Sequence, residues 1–508
     1  MRVLHTSDWH IGRRFKGVDL LRYQRAALEW LIGLIEREHV DVLCVSGDVY
    51  DLSVPSAESV RLFDEMFARL GRVQVGGRPL EIVITPGNHD SAIRLGAGAG
   101  LMLPNVHMRC GLGDIADPVL IERGGETLAV YTVPYLDPDT ARPGMQALLE
   151  TAGACAGAGG SVDGSGADNG AGERIPRSHE GMMRAALTLV THDLAARRRR
   201  DPALVAVLMA HAFVSGASSS DSERAITVGG VDSVPASLFS HSGLDYLALG
   251  HLHRPQRVNI PDVPVEGSAP GSDSGAGSGF GSVNDGGSVT ESVSGFGLGR
   301  TPQSRYSGSL LAYSFSESHV PPVDGNGKSV VLFDIDGGAV HDIRTVDVES
   351  GEPAFVRLEG TESELLGDLA RKHHDDWVSI TVHVDAFPQG IYQKLDDRYA
   401  HALEKSIVYD RKTSSVGRRA VDLRKAKSHL DVVEQFVRHQ LDRDPDEAET
   451  SVLRSVVEAV GHQDDEHAGG HAGGAVANGE TPTGSAGVPA AEDATGMTYT
   501  TTPNGKEQ

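Results

Sequence analysis

The sequence predicts an α/β domain followed by a smaller α+β domain and a C-terminal helical hairpin. Residues 1–255 alternate short aliphatic runs with amphipathic helical patterns, which is typical of α/β folds. Strand and helix patterns are mixed between about residues 328 and 410, and two apolar helical stripes follow at residues 430–460. A chain of 508 residues is also too long for one ordinary core, so two or three folded units are expected.

The first domain, predicted at residues 1–325, contains aliphatic runs that indicate strands buried on both faces. These runs lie at residues 40–45, 81–84, 203–208 and 244–249, and a shorter one precedes Ser7. The helical pattern of residues 22–37 places Ala27, Leu31, Leu34 and Ile35 on a single stripe. Helices are therefore expected to cover the sheet.

The second domain is predicted at residues 326–412. Its strands are expected at 329–335 and 378–384, and its helices at 361–373 and 388–404.

The hairpin is predicted from two apolar stripes with helical spacing. The stripes are Leu430, Val433, Val437 and Leu441, and then Leu453, Val456, Val457 and Val460. Between them, Asp444-Pro445 offers an N-cap and a proline suited to the first helical position. Residues 413–462 are thus assigned to a linker and a hairpin whose apolar faces need a partner, either the body of this chain or another protein.

Two Gly/Ser-rich stretches, at residues 152–173 and 264–300, interrupt the first domain. Neither can bury enough apolar surface to offset the entropy lost on ordering, so both are expected to be flexible loops. The tail at residues 463–508 has a similar Gly/Ala/Thr/acid composition and is expected to be disordered.

Composition limits the surroundings and partners of the chain. Three distant cysteines outside any CxxC spacing argue against a disulfide framework and a thiolate zinc site, and no apolar run reaches membrane-spanning length. A cytoplasmic protein without a membrane segment is therefore expected. The net charge of −24 disfavours unaided binding to a phosphate backbone, so any nucleic-acid substrate requires metal ions, local basic patches or a partner.

Five aliphatic runs end in residues that commonly bind metals. The segments are Asp8-Trp9-His10, Gly47-Asp48, Gly87-Asn88-His89-Asp90, His211 and Gly250-His251-Leu252-His253. Open α/β sheets build their sites beyond the carboxyl ends of the strands. Two divalent ions about 3.5–4 Å apart can hydrolyse a phosphodiester, and Asp48 suits the bridge because an aspartate can give one oxygen to each ion.

Each segment alone is more often a turn or an ordinary core histidine, but five in order after five strands indicate a metal site. Ligands from His, Asp and Asn favour manganese or iron over structural zinc, and their geometry does not choose between the two. Two divalent ions are expected, with manganese as the first candidate and magnesium or iron as the alternatives.

These segments resemble the ordered signature of the calcineurin-like metallophosphoesterases. The Gly-His-x-His ending, the start Leu4-His5-Thr6-Ser7-Asp8-Trp9-His10 and the segment Tyr306-Ser307-Gly308-Ser309 resemble, within that superfamily, the bacterial SbcD nuclease subunits. The resemblance covers residues 1–140, 180–260 and 300–460. It implies a sandwich of two sheets flanked by helices, with the α+β domain as a cap.

The resemblance also implies a role for each residue. One metal is expected on Asp8, His10, Asp48 and His253, and a second on Asp48, Asn88, His211 and His251. His89 is expected to contact the scissile phosphate and protonate the leaving oxygen, a task suited to histidine at neutral pH, with Asp90 orienting it.

The implied function is a 3′–5′ double-strand DNA exonuclease and single-strand or hairpin endonuclease, acting in DNA repair, recombination and replication. The implied partner is an SbcC-like ATPase docked on residues 430–460, in a heterotetramer containing two copies of this chain. A phosphodiesterase for small phosphoesters and a non-catalytic DNA-binding scaffold are the alternatives. Arg13, Arg14 and Lys16 are candidates for DNA contact, whereas the arginines at 197–200 fit a solvated helix end at least as well.

Overall fold

The structure, a computed structural model, describes residues 1–152, 174–223, 233–262, 299–317, 327–385, 389–409, 428–441 and 443–468. The two predicted flexible inserts and the predicted tail lie outside the described residues, apart from Ala152, residues 299–300 and the stretch before residue 469. The chain divides into two compact units, Met1–Arg411 and Lys412–Gln508.

The strands and helices are numbered in chain order. The strands are β1 (Arg2–Thr6), β2 (Arg14–Phe15), β3 (Val18–Asp19), β4 (Val42–Ser46), β5 (Gln74–Val75), β6 (Arg78–Pro79), β7 (Glu81–Thr85), β8 (Val106–Met108), β9 (Val119–Arg123), β10 (Glu126–Val133), β11 (Val205–His211), β12 (Tyr246–Gly250), β13 (Gln256–Val258), β14 (Gln303–Tyr306), β15 (Ser329–Asp336), β16 (Ala339–Asp347), β17 (Phe355–Thr361), β18 (Trp377–Val384) and β19 (His401–Tyr409). The α-helices are α1 (Leu21–Arg37), α2 (Ala57–Leu70), α3 (Ala92–Leu95), α4 (Arg142–Thr151), α5 (His179–Arg198), α6 (Glu362–Leu365), α7 (Asp368–Lys372), α8 (Ile391–Asp396), α9 (His429–Leu441) and α10 (Glu447–Ala468).

Two six-stranded sheets form the centre of the first unit. Their strand orders are β16-β15-β1-β4-β7-β8 and β13-β14-β12-β11-β10-β9. The strands that precede the predicted ligands run parallel within each sheet: β1, β4 and β7 in the first, β11 and β12 in the second. The predicted sandwich of two sheets flanked by helices is confirmed.

Alternating side chains explain why both faces of each sheet are buried. In β4, Val42 and Cys44 join the core between the sheets, whereas Leu43 and Val45 join the core under the first layer of helices. The latter core includes the predicted stripe of α1, and α5 covers the second sheet in the same way. The sequences of these strands are continuously aliphatic because neither face of the strand is exposed to solvent.

The smaller α+β region differs from its prediction at its start. The predicted boundary at residue 326 assigned β15 and β16 to the second domain. In the structure, β15 pairs with β1 of the first sheet and β16 pairs with β15. Both strands therefore complete the first sheet. The separate three-stranded parallel sheet is β17-β18-β19, and α6, α7 and α8 are the helices of this region.

The helix predicted for residues 388–404 is also wrong in its second half. α8 ends at Asp396, and residues 401–409 form β19, which pairs in parallel with β18. Pairing with an already formed strand overrides the local pattern here. An aromatic cluster of Phe15, Phe355 and Trp377, with ring centroids 5.0–5.9 Å apart, packs this sheet against the first domain.

The second unit contains the predicted pair of helices, α9 and α10. α10 continues to Ala468, so its last turns lie within the segment predicted to be disordered. Leu430, Val433 and Leu453 are half-buried, whereas Phe436 and Val456 are exposed. Among the described residues there is no helix with the length and hydropathy needed to cross a membrane.

Candidate metal centre

The predicted ligands meet at one edge of the sandwich, where the carboxyl ends of β1, β4, β7, β11 and β12 lie together. Four of them have positive backbone φ angles: Asp8 (53°), His10 (44°), Asp48 (51°) and His251 (108°). Such conformations in residues other than glycine cost about 1–3 kcal/mol each and cluster at functional sites. The backbone is therefore bent to turn these side chains toward one point.

Glycines next to the ligands make this close approach possible. A Cβ atom at Gly250 would lie 1.8 Å from the Ser46 carbonyl oxygen, and one at Gly87 would lie 2.2 Å from Asp48 Oδ1. Real Cβ atoms essentially never approach other atoms this closely. A larger residue at position 250 would therefore push the two sheets apart, and one at position 87 would displace Asp48 within the first sheet.

The first predicted set of ligands is brought together. Ligand atoms of Asp8, His10 and His253 all lie within 4.8 Å of one another, and all three residues are buried. The Nε2 atoms of His10 and His253 are 2.9 Å apart, and His10 Nε2 is 3.5 Å from Asp48 Oδ2. These four side chains can hold one ion.

The second predicted set also converges. Asn88 Oδ1 lies 2.9 Å from His211 Nε2 and 3.3 Å from His251 Nδ1. His211 Nε2 is 3.4 Å from Asp48 Oδ2. All seven predicted ligands thus belong to one cluster, with Asp48 between its two halves.

Asp48 lies between the two halves, and its two carboxylate oxygens have different neighbours. Its Oδ2 atom faces both His10 and His211, whereas Oδ1 accepts a hydrogen bond from the His89 backbone N–H at 2.8 Å. Oδ2 therefore faces one ligand from each predicted set, and Oδ1, which accepts a single N–H, keeps a second lone pair.

His89 lies beside the ligand cluster, and Asp90 is hydrogen-bonded to the surrounding backbone. His89 Nδ1 lies 2.7 Å from the Asp51 carbonyl oxygen, and the His89 ring stands edge to face with His10 at 4.6 Å. Asp90 accepts hydrogen bonds from the backbone N–H groups of Val49, Tyr50 and Gly87 at 2.9–3.0 Å. Asp90 therefore fixes the loops that carry Asp48 and His89, and does not touch the His89 ring through any described hydrogen bond.

The electrostatics of the cluster suit metal binding. Burial lowers the pKa of His10 to about 3 and that of His251 well below its ordinary value, so both rings are neutral with free lone pairs. For His211, burial opposes protonation, but the Asp48 and Asp8 carboxylates outweigh it and raise its pKa to about 9. A divalent ion beside Asp48 would take the place of that proton.

The donors fit divalent ions. Neutral imidazoles, carboxylates and one amide oxygen are the ligands that manganese, iron and related ions accept, and no described cysteine lies among them. The converging Nε2 atoms of His10 and His253 are explained by a cation that both lone pairs can bind.

Several residues around the ligands carried no sequence signal. Asp51 Oδ1 lies 3.4 Å from His10 Nδ1, and the Tyr313 ring lies 5.3 Å from both the His10 and His253 rings. Ser222 Oγ lies 2.5 Å from His253 Nδ1. Lone polar residues in loops far along the chain have no periodicity, so only the three-dimensional structure identifies them.

Three of the basic side chains considered for DNA contact form hydrogen bonds or ion pairs within the protein. Arg13 donates to the Ser222 carbonyl oxygen at 2.7 Å and stacks on the Tyr313 ring at 4.7 Å. Lys16 pairs with Glu404 at 2.9 Å, and Arg198 pairs with Asp245 at 2.6 Å. Arg198 therefore stabilises the second sheet, which agrees with the structural interpretation of the arginine run.

The sandwich and the His/Asp/Asn cluster at its edge define a metal-dependent phosphoesterase, a hydrolase class that uses divalent ions. The profile of the calcineurin-like phosphoesterase family matches residues 1–255, and the chain belongs to this family. Within it, the chain is similar to the SbcD component of the SbcCD nuclease of Bacillus subtilis (strain 168), with 32% identity over 358 residues, which is 70% of this chain and 71% of that protein.

Solved structures with more distant similarity include TT1561 of Thermus thermophilus, at 12% identity, 68% coverage of this chain, 99% coverage of that chain and a TM-score of 0.31. GAP50, the anchor in the inner membrane complex of Plasmodium, has 9% identity and a TM-score of 0.32, and the match covers 69% of this chain and 89% of that chain. These scores support no argument about fold or function.

Proposed function

We propose that this chain is the nuclease subunit of an SbcCD-type complex. Its activity would be 3′–5′ exonuclease cleavage of double-stranded DNA and endonuclease cleavage of hairpins and single strands, in DNA repair, recombination and replication. The observation that carries the proposal is the convergence of seven ligand side chains, with His89 beside them, at one edge of the sandwich. Similarity to a nuclease subunit supports DNA as the substrate.

In this proposal, Asp8, His10, Asp48 and His253 hold one ion, and Asp48, Asn88, His211 and His251 hold the other. When bound, the two divalent ions, which we propose to be manganese, would supply the positive charge that neutralises the phosphodiester and would lower the pKa of a bound water. His89 donates a proton from Nε2 to the leaving oxygen, since its Nδ1 is engaged with the Asp51 carbonyl. Asp90 is a positioning residue, because it holds the backbone of the loop before His89.

A partner would help to bind the DNA, since the chain carries a net charge of −24, which disfavours unaided binding to a phosphate backbone. We propose an SbcC-like ATPase with a coiled coil as that partner, in a heterotetramer with two copies of this chain. The α+β region around β17, β18 and β19 would act as the cap that restricts which DNA ends reach the ions. α9 and α10 would dock the ATPase.

A manganese-dependent cleavage assay tests the function. With Mn²⁺, the purified chain together with its ATPase partner is expected to cleave hairpin and blunt duplex DNA, and EDTA is expected to abolish cleavage. Cleavage of a small phosphodiester without cleavage of either DNA would instead support the general phosphodiesterase. Absence of cleavage, together with DNA binding by the complex, would support the non-catalytic scaffold.

The docking segment is tested by removing exposed apolar side chains. Phe436 and Val456 are 60% and 55% exposed, respectively, and a partner that covers them would gain hydrophobic contact. The double variant Phe436→Ser, Val456→Ser is expected to weaken binding to the ATPase at least about tenfold in a pull-down titration. Leu120→Ser on β9, where the residue is 49% exposed, is the matched control and should bind normally. Equal binding by the double variant and this control would contradict the assignment.

A further inference from the structure

A buried chain of polar side chains lies behind His253. The Nε2 atom of His253 faces the cluster, and its other ring nitrogen, Nδ1, is 2.5 Å from Ser222 Oγ. The Ser222 hydroxyl also contacts Glu317 Oε1, which is 3.8 Å from His253 Nδ1. If Nε2 binds an ion, Nδ1 carries the proton and donates to Ser222, which donates its own proton to Glu317.

Lys328 fixes the other end of this chain. Its ammonium group pairs with Glu317 Oε2 and donates to the His253 carbonyl oxygen at 2.8 Å and to Ser309 Oγ at 3.0 Å. The Glu317 side chain is 0% exposed and the Lys328 side chain is 9% exposed. A buried charge pair of this kind is costly unless its geometry is well satisfied. Here the Glu317 carboxylate also accepts from the Tyr313 N–H at 3.3 Å and from the Ser220 hydroxyl at 3.4 Å.

His253 is consequently held at several points. Its backbone N–H donates to Glu223 Oε1 at 2.8 Å, and its carbonyl oxygen accepts from the Ser309 N–H at 3.1 Å as well as from Lys328. Its ring lies against Tyr313. Such contacts leave the imidazole little freedom to turn Nε2 away from the cluster.

We infer that Glu317, acting through Ser222 and anchored by Lys328, is a positioning residue that orients His253 for one of the two ions. This inference rests on the proposed function, because it requires His253 to be a metal ligand. Residues that orient a ligating histidine change metal affinity by about 10- to 100-fold when they are replaced.

Titration of the full-length protein with Mn²⁺ in a calorimeter, without DNA, tests this role. The wild type is expected to bind two ions. Glu317→Gln keeps the shape of the side chain but removes its charge, and Ser222→Ala removes the link to His253. Each is expected to weaken one Mn²⁺ site about 10- to 100-fold while leaving the other site unchanged. Raising the Mn²⁺ concentration should restore much of the DNA cleavage of both variants.

Glu352→Gln is the matched control. Glu352 lines the same cavity as Glu317 and Lys328, but its carboxylate accepts from the Ala312 N–H at 3.2 Å and contacts none of the predicted ligands. Burial raises the pKa of Glu352 to about 8, so the amide closely mimics the mostly uncharged native group. Both Mn²⁺ sites are expected to stay within about twofold of wild type in this variant.

The outcomes separate the two claims. Two unaltered Mn²⁺ sites in both Glu317→Gln and Ser222→Ala would overturn the positioning role and leave the proposed function standing. Equal weakening of both sites, or the same change in Glu352→Gln, would also overturn it. A wild type that binds two Mn²⁺ ions but cleaves no DNA would refute the nuclease proposal, while selective loss of one site in the variants would still support the role of Glu317. A wild type that binds no Mn²⁺ would overturn both.

Discussion

Replacement of Asp48 by Asn is expected to lower DNA cleavage at saturating Mn²⁺ at least about a thousandfold, because in the proposed mechanism both ions depend on this carboxylate. Its Oδ2 atom is the oxygen that faces His10 and His211 together. Asparagine keeps a carbonyl-type oxygen to accept the His89 N–H but loses the negative charge that two cations share. The loop before His89 should therefore keep its conformation while the ion pair is lost.

Metal stoichiometry distinguishes this effect from a general loss of structure. Asp48→Asn is expected to lose both high-affinity Mn²⁺ sites in a calorimetric titration, whereas Asp8→Asn should lose one. Asp336→Asn, at the exposed end of β15, is the control and should match the wild type in both measurements. Retention of two Mn²⁺ sites by Asp48→Asn would show that Asp48 is not the bridge.

The convergence of the candidate ligands could be predicted from the sequence more completely than the strand pairing around them. Strands buried on both faces are recognisable as aliphatic runs, and a parallel arrangement brings their carboxyl ends to the same edge, so ligands placed directly after the runs had to meet. Asp8, Asp48 and Asn88 follow three strands of one sheet, and His211 and His251 follow two strands of the other. No sequence pattern predicted that Glu317 and Lys328 lie behind His253. Both residues belong to loops or strand ends, and they reach His253 only through the packing of the two sheets.

The errors in the fold arise where pairing with distant strands decides the structure. β15 lies more than 320 residues from its partner β1, and nothing local to residues 329–336 reveals that pairing. β19 contains Glu404 and Lys405, residues that suit a helix, and is a strand because β18 supplies hydrogen-bonding partners along its length.

The centre also stores conformational and electrostatic strain. Asp8, His10, Asp48 and His251 all have positive φ, and burial together with the charge of Asp48 raises the pKa of Asp90 to about 6. A fold selected only for stability would avoid both features. Their concentration around these loops is consistent with a site that is stabilised when cations bind.

Replacement of His89 by Asn is expected to slow DNA cleavage about 100- to 10,000-fold without weakening either Mn²⁺ site, because the proposed mechanism makes His89 a proton donor. The hydrogen bond between His89 Nδ1 and the Asp51 carbonyl oxygen, at 2.7 Å, keeps a proton on Nδ1 and leaves Nε2 to protonate the leaving oxygen. A substrate whose leaving group departs without a proton should therefore need His89 much less. Bis(4-nitrophenyl) phosphate is such a substrate, and its hydrolysis is expected to fall about tenfold or less.

The comparison between the two substrates separates proton donation from the other roles that the geometry allows. Ligand atoms of His89 lie within 4.8 Å of those of His10 and Asp48, so a direct role as a metal ligand would appear as a weakened Mn²⁺ site. A role only in holding the phosphate would slow both substrates equally. His107→Asn, which removes a ring paired with Glu81 at 3.1 Å beside β7, controls for the loss of a half-buried histidine and should leave both rates unchanged. A large loss on DNA, a small loss on the nitrophenyl ester and intact Mn²⁺ binding together are the result that proton donation requires, and an equal loss on both substrates would refute it.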